Sequence, residues 1–247
     1  MCNINVKIGE SNYKYKKGVI LENIAKDLSS KYKGIITLGK IDNKLKDLST
    51  ELNKDCNLEF IDTTIADGMR VYTRTLSFIF IKACEELYPN CKVTIEHSLS
   101  NGLYCEVKIG KQNLNDEILD NIKAQVKSII DKNENIEKIV TNREKAIKIF
   151  EERHDYIKAE LLKYKEYDDV KIYKCGSYIN HFYGHMLPST GCVTVFDIKK
   201  WKSGVVILGP SKLDKTKAQE FIPQHKLSNI YKESELWSDL IGVGEVV

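Results

Sequence analysis

Arginine is scarce in this sequence: four residues, Arg70, Arg74, Arg143 and Arg153, among 38 basic ones. Few planar guanidinium forks are therefore on hand for phosphate and base recognition. The basic residues face 35 acidic ones, a formal net charge of +3, so composition permits RNA contact without pointing to it. No apolar run approaches the length of a bilayer span. The seven cysteines, Cys2, Cys56, Cys84, Cys91, Cys105, Cys175 and Cys192, are odd in number and contain no C-x-x-C pair, which argues for reduced thiols and against a disulfide framework or a zinc finger. The opening Met-Cys-Asn-Ile-Asn-Val-Lys-Ile alternates like a strand and does not read as a secretory signal, so a cytoplasmic protein is expected. What is there is ordinary globular material. The 247 residues, 42% of them hydrophobic, can bury ~70–75% of the surface of the unfolded chain without staples.

Residues 1–62 read as one small unit. Val6–Ile8 and Tyr13–Tyr15 alternate around Gly9–Asn12, a plausible hairpin. Ile20, Ile24 and Leu28 recur every fourth residue, one helical stripe, and strand-like pieces follow at 35–38, 45–48 and 58–61. Hairpin, helix and returning strands describe a β-grasp fold. Asp67 is the expected N-cap of a long buried helix with Tyr72, Leu76, Phe80 and Cys84 on one face, ended by Pro89. Strands at 93–97 and 103–109 flank a turn in which Asn101-Gly102 is expected to supply positive φ angles. A helix over 118–130 is expected next, then one bent helix from Arg143 to about Tyr164, then strands at 170–175, 178–183, 193–198 and 205–208. Residues 63–225 thus read as one α+β domain on an antiparallel sheet. Residues 226–247 read as a short helix and a linker.

Two sets of residues carry a resemblance. Residues 1–62 resemble the TGS module of threonyl-tRNA synthetases. Gly68–Pro89, the Asn101-Gly102-Leu103-Tyr104 turn and the Pro188-Ser189-Thr190-Gly191 block resemble that synthetase's second additional domain, the one that edits mischarged tRNA. In that domain, two helix histidines and a Cys-x-x-x-His hold a metal; the corresponding positions here are Arg74, Phe78, Phe182 and Met186, so the resemblance implies a cleft without a metal. The strings from Thr94 to Glu106 and from His181 to Gly191 resemble more closely the front region of bacterial nucleoside kinases of the uridine kinase or phosphoribulokinase-like kind. That resemblance implies a non-catalytic regulatory module joined to its own C-terminal kinase domain beyond Val247, which would transfer the ATP γ-phosphate to a nucleoside 5′-hydroxyl with Mg²⁺.

The residues leave alternatives open. Gly209–Thr216 is one residue away from a phosphate loop, but Asp214 stands where its second glycine belongs, and a solvated turn is the expectation. Tyr178, His181, Tyr183 and His185 read either as sheet packing with rim histidines or as a ligand pocket. Strand alternation groups His97 and Glu106 with Arg74 on one cleft, which would suit an anionic ligand such as a nucleotide or an RNA end. If instead Arg74 pairs with Glu106 or another buried acid, it is structural. The second functional reading is a metal-free aminoacyl or nucleoside-ester hydrolase using His97, His181 or His185 as base, or an RNA-binding module. No catalytic residue, bound metal or cofactor is expected in this chain.

Overall fold

Alternation and helical stripes place most of the elements, and the computed structural model shows how they assemble; it describes residues 3–89, 91–153, 155–164, 168–224 and 237. The expected helix and linker over 226–247 lie outside the described residues, apart from position 237. The chain begins with β1 (Asn3–Ile8) and β2 (Ser11–Lys16), then β3 (Val19–Ile20), α1 (Leu21–Leu28), β4 (Ile36–Ile41), β5 (Lys44–Asp47), β6 (Glu51–Leu52) and β7 (Cys56–Asp62). Five of these strands form a mixed sheet in the order β2-β1-β7-β4-β5, in which β1 and β7 run parallel and the other neighbours antiparallel. Ile4 and Val6 of β1 are buried while Asn3 and Asn5 are exposed, the period-two pattern of a sheet covered on one face. Leu21, Ile24, Ala25 and Leu28 of α1 are buried in the same apolar cluster as those strand residues. In β2 the alternation sets Tyr13 and Tyr15, stacked at 6.2 Å, against the exposed Lys14 and Lys16.

Helix α2 (Ala66–Leu87) is the centre of the rest of the molecule. Tyr72, Leu76, Ile79, Phe80, Ala83 and Cys84 are fully buried, and the larger of these each contribute about 1.5–3 kcal/mol before chain entropy is set against them. Asp67 does not cap the helix. The N-cap position is Ile65, and Asp67 sits in the first turn, 2.5 Å from Arg70. After α2 come β8 (Cys91–Leu99), β9 (Gly102–Ile109), α3 (Asp116–Lys132), β10 (Glu137–Asn142), α4 (Arg143–Glu152), α5 (Tyr156–Lys163), β11 (Asp169–Cys175), β12 (Tyr178–His181), β13 (Asp197–Trp201) and β14 (Gly204–Leu208). The expected single sheet is two: an antiparallel β10-β11-β12 and an antiparallel β13-β14-β9-β8. The expected bent helix is likewise two. Asn142 caps α4 by accepting from Lys145 N at 2.9 Å, and Asp155 caps α5 by accepting from Lys158 N at 3.3 Å.

The β8–β9 turn differs from expectation in a way that shapes the site. Leu99 pairs with Gly102, so the loop is Ser100-Asn101, and the positive φ (+56°) falls on Ser100. Gly102 is required for another reason: a Cβ there would lie 2.5 Å from Val206 Cγ1 and 2.7 Å from the Ile207 carbonyl oxygen. The ladder also shifts register between Ile95 and Ser98, a bulge that resets strand alternation. Among the described residues no helix is long and apolar enough to cross a membrane.

Candidate functional site

Opposite its buried stripe, α2 presents Met69, Arg70, Thr73 and Arg74, with the buried Ser77, whose hydroxyl donates to the Thr73 carbonyl oxygen at 2.8 Å, at the base of the same face. These residues form one wall of a cleft of about 460 Å³. Ile95, Ser98 and the Ser100–Leu103 turn form a second wall, and Phe182, Lys212 and Gln219 close it. Among the described residues the lining carries three cations, Arg70, Arg74 and Lys212, and no aspartate, glutamate or histidine. Arg70 has its acid partner in Asp67, and Lys212 is exposed. Arg74 differs. Its guanidinium is half-buried, it has no ion pair among the described residues, and its Nη1 donates to the His185 carbonyl oxygen at 2.8 Å. Burial lowers its pKa from the ordinary arginine value, although an arginine stays protonated throughout the physiological range.

The loop under Arg74 is fixed from several sides. Gly184 has φ +89°, and a Cβ there would stand 3.0 Å from Arg74 Cζ and Nη1, so glycine is what lets the guanidinium lie against the main chain. The Tyr173 hydroxyl donates to the Gly184 carbonyl, and Leu187 N donates to Thr75 Oγ1 at 3.0 Å. The His185 side chain turns away from the cleft to Asp47 of the first sheet, with Nδ1 and Oδ1 2.7 Å apart, while Lys138 Nζ reaches Asp47 Oδ2 at 2.8 Å. Burial raises the Asp47 pKa, but the bonds from His185 and Lys138 outweigh it and hold the carboxyl below its usual value.

The Gly209–Thr216 segment contributes Lys212 to the cleft and commits its other functional groups elsewhere. Lys215 Nζ donates to the carbonyl oxygens of Ser29 at 3.1 Å and Tyr32 at 2.9 Å, tying this loop to the end of α1. Asp214 Oδ1 accepts from both Thr216 N, at 3.0 Å, and Thr216 Oγ1, at 2.6 Å, which closes the turn on itself. A phosphate loop needs that lysine and those amides free.

At the four positions where the resemblance would put metal ligands, the chemistry is different. Phe78 meets Phe182 edge-on at 5.9 Å and Tyr178 at 5.0 Å, Met186 is buried, and Arg74 lies on the 184–185 main chain. A guanidinium, two phenyl rings and a buried thioether do not make a donor set for a hard or borderline cation. Among the described residues no group of three or more His, Cys, Asp or Glu side chains is placed to hold a metal.

Of the seven residues singled out from the sequence, only Arg74 lines the cleft. His97 lies by Tyr104, at a ring distance of 5.4 Å, and Glu106 binds Lys108 at 2.9 Å. The 95–98 bulge is why alternation misplaced His97. Glu106 is two positions from Tyr104 and so shares its face, while Cys105 and Val107, of the opposite parity, enter the core. The pairing of Arg74 with Glu106 is therefore not seen. Tyr178 is a core residue whose hydroxyl accepts from Asn180 Nδ2 at 2.6 Å, and burial pushes its pKa well up. His181 bonds the Lys171 carbonyl at 2.6 Å and meets the exposed Tyr183 ring at 4.7 Å, so both stand on the rim. The polar stripe Arg70-Thr73-Arg74-Ser77 was visible in the sequence as a helical period on a helix otherwise apolar, and it is the signal that finds the cleft.

No family model matches the sequence. Curated relatives do. The chain is 31% identical over 199 residues to a threonine–tRNA ligase of Acetivibrio thermocellus, covering 80% of this chain and 31% of that protein. It is 30% identical over 236 residues to that of Natranaerobius thermophilus, covering 90% of this chain and 37% of the other, and 28% identical over 199 residues to threonine–tRNA ligase 2 of Bacillus subtilis. The chain thus spans about a third of the length of the curated relatives it matches. A chain from the crystal structure of ATBAG1 in complex with HSP70 overlaps 35% of this one at a TM-score of 0.22, which bears on nothing further. These relatives correct the nucleoside-kinase resemblance. The likeness runs to tRNA ligases, and the expected partnership with a kinase domain of its own is unsupported. ATP and Mg²⁺ were attached to that kinase domain alone.

Proposed function

We propose that the chain is a tRNA-binding region of the threonine–tRNA ligase kind, built from a TGS-like β-grasp unit over 1–62 and an editing-type domain over 63–225, and that the α2 cleft receives the aminoacylated end of a tRNA. The mixed five-stranded sheet with its parallel β1–β7 pair, sharing a core with α1, supports the β-grasp reading. The likeness to the tRNA ligases covers four-fifths of the chain, more than either unit alone. The observation that carries the reading is the cleft itself: Arg74 and Lys212 without an acid partner, Arg70 beside them, the hydroxyls of Thr73 and Ser98 and, among the described residues, no carboxylate in the lining, which is the complement of a phosphate backbone.

The cleft is read as binding rather than hydrolysing. Among the described residues neither a histidine nor a carboxylate lines it, so the described lining supplies no general base. His185 is engaged with Asp47, while His97 and His181 are outside the lining. The test is an anisotropy titration of the chain with a threonine-accepting tRNA and with the same tRNA shortened by its 3′-terminal nucleotides. At least tenfold weaker binding of the shortened tRNA is expected, with no deacylation of a mischarged one. Equal binding of the two would refute the assignment, and deacylation would replace it with the hydrolase reading.

A further inference from the structure

We propose that the cleft is a metal-independent oxyanion site, in which the Arg74 guanidinium takes the phosphate of a nucleotide with Lys212 as the second cation. The inference builds on the cleft reading above and names the chemistry it selects. A cation taken out of bulk water is normally paired, because its lost hydration must be replaced. Arg74 is half-buried, and its described bond is one N–H to the His185 carbonyl oxygen, whereas a guanidinium has five such donors. Gly184 and the His185 carbonyl fix the plane of the group, so a fork is oriented before any ligand arrives.

Phosphate fits better than carboxylate, since Arg74 and Lys212 both line the cleft without an acid partner among the described residues, while Arg70 is paired with Asp67, and a monoanion needs one cation. A nucleotide fits better than free phosphate. The volume of about 460 Å³ exceeds that of the ion, and Phe182, Ile95 and Leu103 give a base an apolar wall.

The experiment is thermal unfolding of the full chain at constant ionic strength with AMP, adenosine or inorganic phosphate, each with and without a chelator. At about a hundredfold excess over Kd, AMP should raise the melting temperature by about 5 °C. Adenosine should raise it by less than about 1 °C, and chelation should change neither result. Arg74→Gln should abolish the AMP shift while leaving the unliganded melting temperature equal or higher, since it removes an uncompensated charge. Lys212→Gln, at an exposed position, should weaken AMP at least threefold and serves if Arg74→Gln does not fold. A shift that survives both substitutions, or is lost on chelation, would overturn the site. So would a fall of several degrees in unliganded Arg74→Gln with no effect of Lys212→Gln on AMP. A 5′-phosphorylated trinucleotide ending in adenosine that displaces AMP assigns the phosphate to an RNA end, and failure to displace it assigns a free nucleotide. The two proposals separate cleanly. An AMP shift beside indifference to tRNA shortening sinks the tRNA reading alone, and the reverse sinks this one alone.

Discussion

Arg74 and Lys82 sit about two turns apart on α2, and the protein treats the two cations in opposite ways. Lys82 is 6% exposed, bonds Glu86 and lies 3.9 Å from Glu134. Gln125 Nε2 in turn donates to Glu86 at 2.7 Å, and Cys175 Sγ to Glu134 at 3.3 Å, so the buried charge has a full set of partners. Arg74 has a carbonyl, a glycine and an open cleft. Compensation marks the first as part of the core. Its lack in the second is the observation on which the proposed ligand site rests.

The comparison can be broken at the Lys82 end. Lys82→Met should leave Glu86 and Glu134 beside an apolar chain and cost about 2–4 kcal/mol, roughly 5–15 °C in melting temperature, with ligand binding preserved in what remains folded. Urea unfolding measures it, and a loss under about 1 kcal/mol would mean that the acids are solvated well enough without it. A smaller effect belongs to Asp47, which holds His185 and through it the Arg74 loop. Asp47→Asn should cost about 1 kcal/mol near pH 7. Because the folded carboxyl has a lowered pKa, that contribution is complete above the ordinary carboxylate value of about 4 and fades as pH falls through the folded one. The wild-type and variant curves should therefore converge in acid; a pH-independent gap would assign the loss to packing. The smallest stability change comes from making Arg74 resemble Lys82. Arg70→Glu places an acid four residues before Arg74, worth ~0.3–0.5 kcal/mol and offset by the lost Asp67 pair, so stability should barely move while tRNA affinity falls more than tenfold. Unchanged affinity would show that pairing Arg74 does not matter.

Much of this arrangement was legible in local pattern. The α2 stripe, the β1–β2 alternation and the α3 period at Ile118, Ile122, Val126 and Ile129 are statements about neighbours three, four or two residues apart, and the structure repeats them. What failed was what a local period cannot hold. The β8 bulge moves His97 across the sheet without altering the composition of the strand. Strand β10 has Ile139 and Val140 between Lys138 and Thr141, too short a run to stand out, and α4 and α5 part without a glycine or proline to announce it. Asp47 and His185 are 138 residues apart, so the pair that holds the cleft loop exists only in three dimensions. Lys212 lies in a segment that reads as a failed phosphate loop, and its place in the cleft lining goes with the anchoring of that loop by Lys215.

The most direct test of the uncompensated arginine is the salt dependence of tRNA binding, measured as log Kd against log salt for the wild-type chain and for Arg74→Gln. If Arg74 neutralises a phosphate in the cleft, the substitution should weaken binding at least tenfold at low salt and reduce the slope by about one. Parallel lines with equal affinities would mean that no phosphate meets Arg74, and the contrast with Lys82 would then carry no functional meaning.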